Sequence, residues 1–575
     1  MLAIAAAAFV FYAPSLGFGF FNDDPTGHFR WMEGRTIWSL LTDASGHGYY
    51  RPVSFILWQI LRAILGRHDP FVLHLLNVSA HAANAALVVW LARRLSGRPA
   101  CAILAGLLFA FYPFSYEATS YVGSFVHPLT TLLTLLTLAF YICWRERNVR
   151  WTFFAAHFTL ALAVFSQENA VIVPLLLLAL DLMFLEHSKA TFFASLSFFA
   201  EPAIFAIVWL LVPKTAAGRA FSLEAMRANV LPFVQALVYP LAPLANHNPM
   251  TLAVLAVIGP TALLVLAHYA RAIRLFAFGL LIWGLASLPS ILFLDNAYVL
   301  GSPRLFYLAS TGAALIWAIP ILNCKLPMAD WLARLVELGA AVLIFATCYL
   351  PSALYTRCEL AYQGMASEVG RMMASAAHSA PGQAVTFVNL PYFFSSRGRN
   401  TECHNPFVFA PTGAVVIPPY ADVRDFVWYN SGADLAARAV TVREYQPGWN
   451  TFGDVMSVEQ LRQQLKVSHV FAFDLIRWRL FDLSAVWQPD MPIGQPRAVF
   501  DGVQISDFKY EIASEQITVT LTWQAIETVQ ERKVFVHIYD SNGRVAAQDD
   551  SIPATSIVPT SWWRAGDIIT DTHTI

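Results

Sequence analysis

Charge is scarce in this chain of 575 residues. Asp, Glu, Lys and Arg make up 13% of it against 57% hydrophobic residues, and the mean hydropathy is +0.52. Soluble proteins carry about 25% charged residues, so that class is excluded and a polytopic membrane protein is expected. Cysteine is scarce as well. The six cysteines show no Cys-x-x-Cys spacing, which argues against a structural zinc site and against a disulfide framework. For Cys358 and Cys403, a pair and two free thiols are both open readings. No basic stretch follows Met1 and no small-residue cleavage site closes the first apolar run, so residues 2–16 read as an uncleaved helix. The closing DTHTI stops in mid-pattern of a strand, and both ends are expected to be clipped. A 34-residue helical repeat is missing, and so are the inverted repeats of a transporter. No nucleic-acid partner is expected.

What is present is apolar sequence in blocks. Stretches long enough to cross a bilayer core, or nearly so, occur at 2–16, 70–92, 100–116, 125–144, 151–166, 170–186, 190–212, 250–268, 275–294, 304–322 and 331–350. Basic residues fall between them at Arg93, Arg94 and Arg98; Arg145, Arg147 and Arg150; Lys189; Arg271 and Arg274; and Lys325 and Arg334. The positive-inside bias makes these cytoplasmic. That gives eleven crossings, a cytoplasmic N-terminus and an extracytoplasmic C-terminal part at the plasma (inner) membrane. The stretch 229–245, broken by Pro232, Pro240 and Pro243, is expected to be re-entrant or interfacial.

This topology delivers ionisable residues from five segments to the outer surface: Asp23-Asp24, Arg51, Glu117, Glu168 and Arg304. Such groups are costly near hydrocarbon, and their convergence predicts a site. Residues 53–65 form a helix too short to span, expected in the interface. His74, Asn77, His81 and Asn84 recur at helical spacing on one face of the second span. Hydrogen bonding between helices is the first reading of that stripe, and contact with substrate the second; no metal is predicted from it. Glu117 follows Pro113 among Tyr112, Tyr116 and Tyr121. Glu168 sits where the fifth span turns into the sixth, a place where a carboxylate can also cap a helix. Arg304 and Tyr307 open the tenth span one turn apart, as a phosphate clamp needs, although Arg and Tyr favour that depth as anchors too.

Taken in order, these words resemble the GT-C superfamily of multi-span glycosyltransferases, and within it the N-terminal half of the transmembrane and TPR-repeat O-mannosyltransferases. Asp23-Asp24 matches the acidic pair of that family's first outer loop. YRPVSF with His74, Asn77 and His81 matches its Arg-Pro and His-x-x-Asn-x-x-x-His pattern, and YPFSYEA, SQENAVIV and PRLFYLAS match three further words through Glu117, Glu168, Arg304 and Tyr307. The chain departs at Tyr112 for histidine, Gln167 for lysine, Pro303 for glutamate and Ser124 for arginine. The resemblance implies an inverting transfer of a sugar from a polyprenyl-phosphate carrier to a protein or glycan acceptor at the outer face. It assigns Asp23 as base by analogy and Asp24 as its orienting partner, with Arg51, His74, His81, Glu117, Glu168, Arg304 and Tyr307 binding substrate. No cofactor is assigned. The lack of an Asp-x-Asp word near the pair argues against metal dependence but leaves a divalent cation open. A lipid-linked glycan ligase or polymerase, and a non-catalytic transporter or lipid-binding scaffold, are the alternatives.

The expected architecture is therefore a GT-C-like helical membrane region over 1–352, an extracytoplasmic α/β region over 356–490 and a partial β-sandwich over 497–575. In the last, Ile517, Val519, Leu521 and Trp523 alternate with threonines. Ser541-Asn542-Gly543 signals a hairpin. Trp562 and Trp563 read as core residues first and as a sugar platform second.

Overall fold

The structure is a computed structural model that describes residues 1–185, 189–215, 221–319, 347, 349–395, 403–445, 450–475, 477–513, 516–554 and 557–575. Its contacts divide into two compact units. One comprises Met1–Gly19, Gly27–Met365 and Asn400–Ala414; the other comprises Phe20–Thr26, Ala366–Arg399 and Val415–Ile575.

The first unit is helical. Its principal helices are α1 (Leu2–Tyr12), α2 (Pro52–Leu65), α3 (Pro70–Ser96), α4 (Pro99–Ala110), α5 (Val126–Arg147), α6 (Arg150–Ser166), α7 (Val173–Phe184), α8 (Ala200–Leu211), α9 (Leu223–Leu237), α10 (Pro249–Tyr269), α11 (Ile273–Phe293) and α12 (Tyr307–Trp317). Among the described residues, five helical stretches are long and apolar enough to cross a membrane: α3, Val122–Arg147, Thr191–Leu211, α10 and α11. The protein is a membrane protein. The expected crossing at 331–350 lies almost wholly outside the described residues.

Local chemistry sets the helix ends. Asp69 accepts the Val72 N–H at 3.1 Å and Pro70 opens α3, the N-terminal arrangement that satisfies orphan donors. Gly97, at φ +72°, closes it, as only a residue tolerant of the left-handed region can. Proline proves less disruptive than expected in one place. Pro232 lies inside α9, which runs on to Leu237, so the break in 229–245 comes after the helix and not at its middle proline. A single proline costs a helix one hydrogen bond and a kink, and packing can offset that. Where α11 meets α12, a Cβ on Gly312 would collide with the Gly279 carbonyl oxygen; two glycines let these backbones touch.

A long helix, α13 (Leu350–Ser379), follows. Cys358 on it forms a disulfide with Cys403, the Cα atoms 5.9 Å apart, which decides between the two readings of that pair.

In the second unit, strands β1 (Val385–Val388), β2 (Ala437–Val442), β3 (Asp454–Met456), β4 (His469–Asp474) and β5 (Arg479–Asp482) form a sheet in the order β3-β2-β1-β4-β5. All neighbours are parallel except β4 and β5. The helix Val458–Leu465, begun by a capping box between Ser457 and Gln460, leads from β3 to β4. A second five-stranded sheet is built from β6 (Trp487–Gln488), β7 (Ala498–Phe500), β8 (Val503–Ala513), β9 (Gln516–Ala525) and β12 (Ile568–Thr574). The hairpin of β10 (Val534–Tyr539) and β11 (Val545–Ser551) turns at Gly543, φ +73°. Trp562 and Trp563 are both buried, and the Trp563 indole donates to the Val558 carbonyl at 3.0 Å. They are core residues, and the reading as a sugar platform is withdrawn. A helical, apolar N-terminal region followed by a strand-rich C-terminal one is the architecture expected from the sequence.

Candidate active site

Four of the sequence words meet in the helical unit. Arg51, at the start of α2, pairs two-pronged with Glu168, Nε to Oε2 at 3.1 Å and Nη2 to Oε1 at 2.8 Å. Arg304 donates its backbone N–H to Glu117 Oε2 at 3.1 Å, and its guanidinium forms an ion pair with the same carboxylate. Two-pronged pairing of this kind is the strong form of the arginine–carboxylate bond. Tyrosines join the two pairs. Tyr298 accepts from Arg304 Nη2 at 3.1 Å and lies 3.4 Å from the Tyr49 hydroxyl, and the Arg51 guanidinium stacks 4.2 Å above the Tyr49 ring.

Electrostatics hold this group together. Burial opposes the charge on Arg51, but Glu168 beside it more than compensates and keeps the guanidinium pKa above its ordinary value. Burial would raise the Tyr298 phenol, but the nearby Arg304 charge and the hydrogen bond with Tyr49 bring it below its ordinary value. The side chain of Glu168 remains 37% exposed and that of Arg304 16%, so the cluster is partly exposed. His127, whose ring nitrogen is 3.5 Å from the Gln167 amide, lies within charge range of both arginines.

The histidine stripe is a different environment. His74, Asn77, His81 and Asn84 are completely buried. His81 bonds the Tyr307 hydroxyl at 2.7 Å and the Ala110 carbonyl at 3.0 Å, Asn84 donates to the Pro128 carbonyl and to Tyr307, and Asn77 donates to the Tyr121 carbonyl at 2.7 Å. His74 packs edge-on to Phe18. Tyr307 thus faces the helix core while Arg304 faces the ion-pair cluster. The one-turn clamp expected of the two is not formed: the Tyr307 hydroxyl is engaged by His81 and Asn84, whereas Arg304 is engaged by Glu117 and Tyr298.

Asp23 and Asp24 belong to the second unit. Their segment is held there by Phe20 N–H to Asn430 Oδ1 at 3.0 Å, Asn22 N–H to the Val416 carbonyl at 3.0 Å, and Asp422 N–H to Thr26 Oγ1 at 3.1 Å. Gly370 on α13 permits this approach, since a Cβ there would meet the Phe20 carbonyl oxygen and Asn430. Asp24 is buried and opens a wide helical turn, Asp24–Arg30, that carries His28 one turn on. Carboxylate oxygen and imidazole nitrogen are donor types that a divalent cation takes. Asp422 also borders a polar cavity of about 960 Å³ whose lining includes Tyr392, Arg438, Asn450 and Asp454.

Tyr49, Tyr298 and His127 were not foreseen from the sequence. Tyr49 stands two residues before Arg51 and Tyr298 six before Arg304, so proximity to those words was the available signal.

The multi-span helices, with arginine–carboxylate pairs at their loop ends, fit the resemblance to the GT-C-like membrane glycosyltransferases read from the sequence. Sequence comparison finds relatives that match part of the chain. The chain is 32% identical over 190 residues to the protein O-mannosyl-transferase Tmtc2 of Drosophila melanogaster, covering 30% of this chain and 20% of that protein. The Xenopus laevis tmtc2 protein is 35% identical over 104 residues, 18% of this chain and 12% of that one. The chain therefore spans a fifth or less of the length of these relatives. Among solved structures, the apo oligosaccharyltransferase of Archaeoglobus fulgidus aligns at 12% identity and a TM-score of 0.41, over 67% of this chain and 62% of that one. No family model matches the chain.

Proposed function

We propose that this protein is an inverting glycosyltransferase that moves a sugar from a polyprenyl-phosphate carrier to a protein or glycan acceptor at the outer face of the plasma (inner) membrane. The observation that carries the reading is the meeting of Arg51, Glu117, Glu168 and Arg304, from four distant parts of the chain, around Tyr49 and Tyr298. Residues 1–352 form the catalytic domain, 356–490 the extracytoplasmic α/β region and 497–575 the sandwich module.

In this reaction Asp23 takes the proton of an acceptor hydroxyl while Asp24 orients it. The acceptor oxygen attacks the anomeric carbon from the face opposite the carrier, and the bond from that carbon to the phosphate oxygen breaks. The electron pair stays on the lipid phosphate. Arg304 and Arg51 stabilise the growing charge, their forks suited to phosphate oxygens as they are to carboxylates. Glu117 and Glu168 hold the forks in place before the donor arrives. Two findings support the orientation and the chemistry. The Cys358–Cys403 disulfide fits an oxidising compartment, and the sequence relatives are protein O-mannosyl-transferases. The donor sugar and the choice between protein and glycan acceptor follow from the assay.

The test is transfer of labelled sugar from polyprenyl phosphate by membranes carrying the protein, compared with Asp23→Asn and Asp24→Asn. Loss of transfer in the first, with the lipid donor still bound, is the expected outcome. Undiminished transfer in both would remove the proposed base.

A further inference from the structure

Beneath Glu117 lies a second carboxyl group that the proposed reaction does not use. Glu359 on α13 is completely buried. Tyr355, Thr356 and Gln363, on the same side of that helix, are buried with it and contact the segment carrying Glu117. Thr356 donates to the Pro113 carbonyl at 3.3 Å, Tyr355 and Tyr116 bring their hydroxyls to 3.4 Å, and Gln363 bonds Ser120. On the other side lies the strap 403–414, closed by the Cys358–Cys403 disulfide. The Gly413 N–H donates to both oxygens of Glu359, at 3.3 and 3.2 Å, Tyr355 donates to the Pro411 carbonyl at 2.7 Å, and Gln235 accepts the Val408 and Phe409 N–H groups.

Among the described residues, the titratable groups facing Glu359 are Glu117 and Tyr116 from the outer loop and Tyr355 from its own helix. None of them is a cation. A carboxylate buried among phenols and beside a second carboxylate is disfavoured as an anion, and burial first, Glu117 next, hold the Glu359 carboxyl well above the usual range, against the opposing pull of the Gly413 N–H.

We propose that Glu359 is a positioning residue for the Glu117–Arg304 pair, working as an uncharged acid that ties the disulfide-closed strap to the helix beneath Glu117. The proposal rests on Arg304 acting at the donor phosphate. Ionising Glu359 would set a second negative charge beside Glu117 and compete for the Arg304 field. Transfer should therefore have an alkaline limit set by this group. The sign of the stability effect is also fixed. A carboxyl whose folded pKa is raised contributes stability at acid pH that is lost as pH climbs through and above the ordinary carboxyl range.

The experiment measures kcat and KM against pH, and thermal unfolding against pH, for the full chain in membranes or detergent, with Glu359→Gln, Glu359→Asp and Arg304→Ala. Glu359→Gln keeps the size and hydrogen bonding of the neutral acid. It should retain transfer at neutral pH, move the alkaline limb of kcat up by about one unit or more, leave KM for the lipid unchanged, and lose less stability than the parent at high pH. Glu359→Asp should lower kcat by withdrawing the carboxyl from Gly413. An alkaline limb unmoved in Glu359→Gln, or a loss of transfer there at neutral pH, would overturn the proposal. If Arg304→Ala transfers sugar normally, the functional reading fails instead, and the unfolding curves still decide whether Glu359 is neutral.

Discussion

Two of the polar clusters in the helical unit are built around tyrosine, and they differ in character. Around Arg51 and Arg304, charges are paired, tyrosines bridge them, and some side-chain surface remains open. Around His81, Asn84 and Tyr307 the side chains are buried and bond backbone or one another, with the Asn84 Oδ1 left without a hydrogen-bond partner. A partly exposed set of charged pairs and a buried network aimed at backbone are different environments, although Arg304 and Tyr307 are three residues apart. On the proposed function the first meets the donor and the second joins helices.

Substitutions can break or sharpen this contrast. Arg304→Ala removes a guanidinium from the developing phosphate charge and should lower kcat by about 10²–10³-fold, the range found when a transition-state donor is deleted; a loss below tenfold would count against its role. Arg51→Lys keeps the charge but not the two-pronged geometry. One lost charge-assisted hydrogen bond of about 1.5 kcal/mol predicts a fall of roughly tenfold in kcat/KM. Tyr298→Phe deletes the acceptor of the Arg304 hydrogen bond together with the longer contact to Tyr49, and a fall of roughly fivefold in kcat/KM, matching about 1 kcal/mol, is expected. Tyr307→Phe belongs to the other cluster. It should cost about 1 kcal/mol in stability and leave transfer per folded molecule unchanged; a selective loss of kcat would erase the distinction between the clusters.

The sequence carried the helices and the charged words, because apolar blocks and basic loop residues report directly on burial and sidedness. It carried less of the site's geometry. Arg304 and Tyr307 looked like neighbours on one face, and only their distant partners, Glu117 and Tyr298 for the one and His81 and Asn84 for the other, set them apart. Tyr49 and Tyr298 gave no signal of their own, since aromatic residues are common at membrane interfaces. Glu359 sits in a helix of mixed polarity, and its burial depends on a strap that a distant cysteine holds in place. The acidic pair posed a fourth difficulty. Asp23 and Asp24 are read from the first outer loop, yet their backbone is secured by Val416, Asp422 and Asn430, roughly four hundred positions later. Local patterns do not encode such pairings.

The backbone contact at Gly279 and Gly312 bears on how the protein can adapt to substrates of different size. Two rods touching without side chains between them have no cushion to compress, so α11 and α12 behave as one beam and the arginine at its end is mounted rigidly. On the proposed function, any give needed to admit a bulkier sugar must come from the flanking loops, above all those bearing Tyr49 and Tyr298.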